Sequence, residues 1–309
     1  MQIAHAVVSV HPRRRARTTP LIRRRRRRRA ARGDGGAAAL LASAAGASAL
    51  AALAWRADAT AGRARVAALL SATALGPARY EARRAAADGD CSTAVVVLHE
   101  FFGLTARERA LADALAARPG VAVAAAPDVF QGEGAALIPR AIWLALRPGA
   151  SERAVRDAVA CSRALLRERS VRRVVLVGFC FGGGVASRAA ADLGGATPFA
   201  VFYGAPLRAN EDAARLGRLE GTRALLVYGG RDAQFPAAAV DDFEAALRGA
   251  GAQVECRRFP ERGHAFLREV PLVSSGRAPT AEMPENTDAA EAWEALLDFV
   301  EGLADAGDA

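Results

Sequence analysis

The chain has 309 residues, 52% of them apolar, which is enough for one large domain with a sizeable core and an appendage besides. Its formal charge of +9 would suit a nucleic-acid binder if it were spread over the protein. Twelve arginines (Arg13, Arg14, Arg15, Arg17, Arg23 through Arg29 and Arg32) fall within the first 32 residues, however, and without them and Asp34 the remainder carries 30 arginines against 32 acidic residues, a net of −2. A basic face for phosphate backbones would have to be built from this tail alone, and the tail lacks the interleaved aromatics that stack bases, since Trp55 is the first aromatic residue of the chain.

Residues 1–78 read as a leader rather than a folded unit: an arginine-rich start, then an uncharged, alanine-dominated run at 35–55. That run is long enough to span a bilayer, but its strong apolar anchors are limited to Leu40, Leu41, Leu50 and Leu53, so it is a weak candidate for a retained anchor. A basic leader, a weak apolar segment and small-residue sites such as Ala59-Thr60-Ala61 fit an organelle-import or export sequence, with a cytoplasmic protein expected if the leader does not function.

Residues 79–305 are expected to form the catalytic domain. Short apolar runs at 94–98, 121–125, 174–177, 199–203, 224–228 and 254–259 alternate with helical stretches at 105–118, 151–169, 181–193, 237–250 and 288–303. This is the pattern of βαβ units around a mostly parallel sheet, and runs that are apolar throughout suit strands covered by helices on both faces. Ser151 is expected to cap the helix it opens, and Pro119-Gly120 to close the one before.

The strongest chemical signal is Val174 to Gly184, where an apolar strand runs into Gly178-Phe179-Cys180-Phe181-Gly182 and then a helix. G-x-C-x-G in strand-turn-helix context is a nucleophile elbow with cysteine in place of serine. Its place at a helix N-terminus favours the thiolate. A base and an acid should follow in chain order. His264 is the one histidine after Cys180, in a loop beyond the last strand, and Asp232 lies just past the strand at 224–228. Asp241 and Asp242 compete for the acidic role but fall inside the next helix, beyond Pro236. Cys91, Cys161 and Cys256 have no histidine logic around them, and the wide cysteine spacing indicates neither a disulfide framework nor a metal site. No cofactor is expected.

With His99-Glu100-Phe101-Phe102-Gly103 after the first strand, these motifs resemble the dienelactone hydrolase (carboxymethylenebutenolidase) family over residues 93–303. E-x-F-G, Ala126-Pro127-Asp128, G-x-C-x-G-G, Phe202-Tyr203-Gly204, G-G-x-D and G-H-x-F occur in the family's order. The resemblance implies an α/β-hydrolase fold, hydrolysis of a small ester or lactone through Cys180, His264 and Asp232, and a Glu100 held near the thiol, where its charge opposes ionisation until substrate arrives. The oxyanion donors would be the backbone N–H groups of Phe101 and Phe181. Arg268, four residues after the histidine, matches an arginine that pairs with a substrate carboxylate. The family's second such arginine is missing, with Gln131, Gly132 and Glu133 at its place and Arg140 as a substitute, and Ala265 replaces a serine. The partner expected is thus a small ester or lactone, carboxylate-bearing in the reading from Arg268, taken by a monomer. Two rival readings are a hydrolase-fold module without catalysis and a polyarginine tail that binds nucleic acid or an anionic membrane.

Overall fold

A computed structural model describes residues 78–83, 91–133, 137–270 and 287–305. The leader, with its apolar run at 35–55, lies outside the described residues. Among those described, no helix is long and apolar enough to cross a membrane.

Seven strands form one sheet: β1 (Arg79–Arg83), β2 (Thr93–Leu98), β3 (Val121–Pro127), β4 (Arg173–Phe179), β5 (Phe199–Phe202), β6 (Arg223–Gly229) and β7 (Gln253–Phe259). Their order is β1-β3-β2-β4-β5-β6-β7, all parallel except β1, which pairs antiparallel with β3. The chain therefore winds outward in both directions from β2 and β4, and the loops that matter collect at the carboxyl ends of the central strands, as in other open α/β sheets.

Strand side chains alternate between two cores. From β2, Ala94, Val96 and Leu98 join one core with α3 (Ala150–Leu166), α4 (Phe181–Leu193) and α6 (Ala237–Gly249). Val95 and Val97 join the other, with α1 (Ala106–Ala116) and α7 (Thr287–Asp305), where Trp293 is among the largest buried side chains. Both faces being covered explains why β2 from Ala94 and β4 from Val174 are apolar rather than alternating.

Several expectations are corrected. β1 lies in a stretch that shows no strand pattern, because RYEAR is an edge strand whose charges stay at the surface: Arg83 pairs with Glu81 and with Glu168 at 2.8 Å. Three short elements also went unpredicted: α2 (Ile138–Leu146), α5 (Ala213–Leu216) and a 3-10 turn at Phe266–Glu269. Ser151 does not cap α3. Gly149 takes that position at φ +74°, a left-handed conformation natural to glycine, so the helix begins one residue earlier. By contrast Thr105 caps α1 with its side chain, and Glu108 completes the capping box.

Candidate active site

β4 delivers its last residue, Phe179, to the top of the sheet, and α4 starts at Phe181. Cys180 makes the whole turn between them at φ 52° and ψ −114°. A non-glycine residue in this region stores roughly 1–3 kcal/mol of strain, which the surroundings must hold in place. Two backbone bonds do so: Cys180 N–H donates to the Phe202 carbonyl at 2.9 Å, and its own carbonyl accepts from Gly183 at 3.0 Å. The helix also needs to pass very close to β2. A Cβ on Gly182 would lie 2.2 Å from the Leu98 carbonyl oxygen, so no larger residue fits there without moving backbone.

Asp232 sits in the loop beyond β6 and is 3% exposed. Its Oδ1 accepts from the backbone of Gln234 at 2.8 Å and of Phe235 at 3.3 Å, which aims Oδ2 at His264 Nδ1, 2.8 Å away. The His264 loop is pressed onto the Asp232 loop: Arg231 N–H donates to the Arg262 carbonyl at 2.9 Å, and a Cβ on Gly229 would meet that same oxygen at 2.3 Å. His264 Nε2 then lies 3.1 Å from Cys180 Sγ. Three side chains from three separate loops thus form one hydrogen-bonded line. Burial lowers the His264 pKa, but the bonds to Asp232 and Cys180 and their charges raise it more, to about 9. Asp241 is drawn instead to Arg258 at 2.6 Å, and Asp242 is exposed on α6.

Glu100 is 3% exposed at the end of β2. Its partners are the Arg268 guanidinium, in a short ion pair, and the Tyr203 hydroxyl, which donates at 3.4 Å. No hydrogen bond joins it to Cys180 among the described residues. Burial raises the Glu100 pKa, and the Arg268 charge opposes the rise. Arg268 also lies over the Phe102 ring, 5.3 Å from its centroid. Arg140 sits elsewhere, 3.2 Å from Glu133 and over the Trp143 ring at 4.8 Å, so it belongs to a surface cluster and not to this group.

The Phe101 amide follows Glu100, and the Phe181 amide is the first of α4, whose leading N–H groups have no partner within the helix. Two residues to which the sequence reading gave no chemistry belong here as well. Tyr203, at φ 39°, packs its ring 5.2 Å from His264, and Phe235 packs 5.9 Å from it on another side. Their positions follow from loops whose geometry no local pattern announces, although Phe202-Tyr203-Gly204 was a visible motif. Among the described residues no group of three or more His, Cys, Asp or Glu is arranged to hold a metal ion.

The pattern of the dienelactone hydrolase family matches residues 81–303. The chain belongs to the dienelactone hydrolase family. It is accordingly a hydrolase of carboxylic esters. A protein of Escherichia coli (strain K12) named "Putative carboxymethylenebutenolidase" is 30% identical over 231 residues, covering 71% of this chain and 80% of its own. The Salmonella typhimurium protein of the same name is 30% identical over 198 residues, 60% of this chain and 72% of its own. In fold, the chain resembles a crystal structure from Klebsiella pneumoniae titled "Putative Dienelactone Hydrolase", with a TM-score of 0.56, 24% identity and coverage of 72% of this chain and 92% of that one. A dienelactone-hydrolase-like promiscuous phosphotriesterase from metagenomic libraries gives 0.53 at 21% identity, covering 73% and 92%.

Proposed function

We propose that this dienelactone hydrolase family member cleaves a small ester or lactone through a covalent acyl-enzyme on Cys180. The observation that carries the reading is the line Cys180 Sγ, His264 Nε2, His264 Nδ1, Asp232 Oδ2, at 3.1 and 2.8 Å. The thiol proton passes to Nε2, and the thiolate sulfur attacks the carbonyl carbon. The carbonyl electron pair moves onto oxygen, where the Phe101 and Phe181 amides receive the charge. When that pair returns, the C–O bond to the leaving group breaks, and the departing oxygen takes the proton from His264. A water then gives its proton to His264 and attacks the thioester. Collapse of this second adduct releases the carboxylic acid and returns the proton to sulfur. Asp232 holds Nδ1–H and stabilises the imidazolium, and with the His264 pKa raised to about 9 the proton taken from sulfur already rests on Nε2 when the attack begins.

We assign Arg268 to a carboxylate on the substrate. Its side chain is 40% exposed while the Glu100 it holds is buried, so an incoming carboxylate meets the guanidinium from the solvent side and competes with Glu100 for it. Losing that partner leaves Glu100 as a buried carboxylate whose surroundings favour protonation. Arrival of the right substrate thereby reduces negative charge beside the forming thiolate.

The test is turnover of p-nitrophenyl acetate by variants at Cys180. Cys180→Ala is expected to lose at least a thousandfold in kcat, and Cys180→Ser to keep a small measurable rate with oxygen as nucleophile. Wild-type turnover in Cys180→Ala would reject the mechanism.

A further inference from the structure

The chemistry above leaves His99 without a task, yet it is 0% exposed immediately before Glu100 and Phe101. Both ring nitrogens are committed: Nδ1 lies 2.6 Å from the Glu100 carbonyl oxygen, and Nε2 lies 3.2 Å from the Val129 backbone nitrogen. A carbonyl oxygen only accepts and an amide N–H only donates, so the ring is the neutral tautomer with its proton on Nδ1. Burial lowers the His99 pKa and keeps it neutral, against the pull of Asp128, whose Oδ1 is 3.7 Å from Nε2, and of Glu108.

The carbonyl that His99 grips belongs to the peptide unit whose N–H is that of Phe101. In a trans peptide the C=O and N–H point opposite ways in one plane, so a bond behind the Glu100 oxygen sets the direction in which the Phe101 N–H faces forward. The same oxygen accepts from Gly103 N–H at 3.3 Å, which adds a second anchor and polarises the peptide further. No group among the described residues accepts from the Phe101 N–H. On its other side, Nε2 ties down the segment bearing Phe130, whose ring packs 5.2 Å from that of Phe181. One imidazole therefore braces the surroundings of both amides.

We propose that His99 is a positioning residue that aims the Phe101 amide at the oxyanion by holding the Glu100–Phe101 peptide from behind. This rests on the assignment of Phe101 and Phe181 as oxyanion donors. Loss of one such donor typically costs about a hundred- to a thousandfold in kcat, and misaiming one should cost about ten- to a hundredfold.

The test uses full-length His99→Gln and His99→Asn. For p-nitrophenyl acetate, kcat is expected to fall by that amount with KM little changed. Affinity for a trifluoromethyl ketone, to which the thiolate adds to give an oxyanion, should fall in parallel. Alkylation of Cys180 by iodoacetamide forms no oxyanion and should keep its wild-type rate. Unchanged kcat, or alkylation slowed as much as turnover, overturns the role. Since replacing a buried ring can unfold a protein, nitrogen-15 NMR of the wild-type histidines gives a second reading: a neutral Nδ1–H tautomer for His99 is expected, and a proton on Nε2 overturns the proposal. Wild-type protein that neither turns over the ester nor is alkylated at Cys180 sinks the acyl-enzyme reading and this one together, whereas an active, alkylated wild type with fully active His99 variants sinks this one alone.

Discussion

At the residue scale, the site is a set of charges that each depend on one neighbour. Arg268 is the clearest case, since it balances a buried carboxylate while presenting an exposed edge. Arg268→Ala should therefore change which substrates are taken. A charge-assisted hydrogen bond contributes about 1.5–3 kcal/mol, so kcat/KM for esters bearing a carboxylate should drop about ten- to a hundredfold while neutral esters hold, and equal losses on both would reject the assignment. His264 predicts a pH signature. Its pKa in the fold, about 9, is above the ordinary imidazole value, so the folded chain holds the proton more tightly than the unfolded one. The resulting stability is complete below about pH 6.5 and is lost as pH rises through about 9. The melting temperature of His264→Gln should fall furthest below wild type near pH 6 and converge on it above about pH 9; a gap that widens with pH would contradict the charge arrangement. These residues differed in how far the sequence announced them. Cys180 and Asp232 stand at fixed offsets from glycines, and His264 was found by elimination. Tyr203 and Phe235 reach the imidazole from loops with no periodic pattern. The Glu100 to Arg268 bond joins positions 168 residues apart, a contact that no spacing rule foresees.

At the element scale, the strands and long helices were readable because each repeats one physical rule. β2 is apolar from Ala94 to Leu98 because both its faces are buried, and α4 begins directly after Cys180, with Gly182, Gly183 and Gly184 in its first turn. α2 was missed for the opposite reason: it runs only Ile138–Leu146, and although Ala141 and Leu144 are buried, Ile138, Trp143 and Leu146 are half or more exposed, so its apolar residues do not single out the buried face. β1 was missed because its residues pair in salt bridges at a sheet edge. The junction of β2, β4 and α4 also yields a prediction. Gly182→Ala puts a methyl group where the Leu98 carbonyl already is, and backbone cannot retreat as a flexible side chain would. We expect a loss of about 2–4 kcal/mol in urea unfolding together with a large fall in kcat, because the same shift displaces Cys180 and the Phe181 amide. A variant with wild-type stability and rate would show that the helix does not need this approach.

At the scale of the whole molecule, the basic charge is unevenly spread: twelve of the 42 arginines fall within the first 32 residues, and the rest of the sequence is nearly neutral. The sheet gathers Glu100 from β2, Cys180 from β4, Asp232 from β6 and His264 from beyond β7 at one rim, although 164 positions separate the first of these from the last. Parallel strand order makes this convergence possible, since every crossover returns the chain to the same edge before the next loop. The account as a whole stands on sulfur carrying the acyl group. Mixing the full-length protein with p-nitrophenyl acetate, quenching in acid within the first turnovers and digesting for mass spectrometry should yield an acetyl group on the peptide containing Cys180, absent from the same peptide of Cys180→Ser when the hydroxyl variant is sampled equally early. Acetyl found on another residue, or a burst of p-nitrophenol with no modified Cys180 peptide, would contradict it.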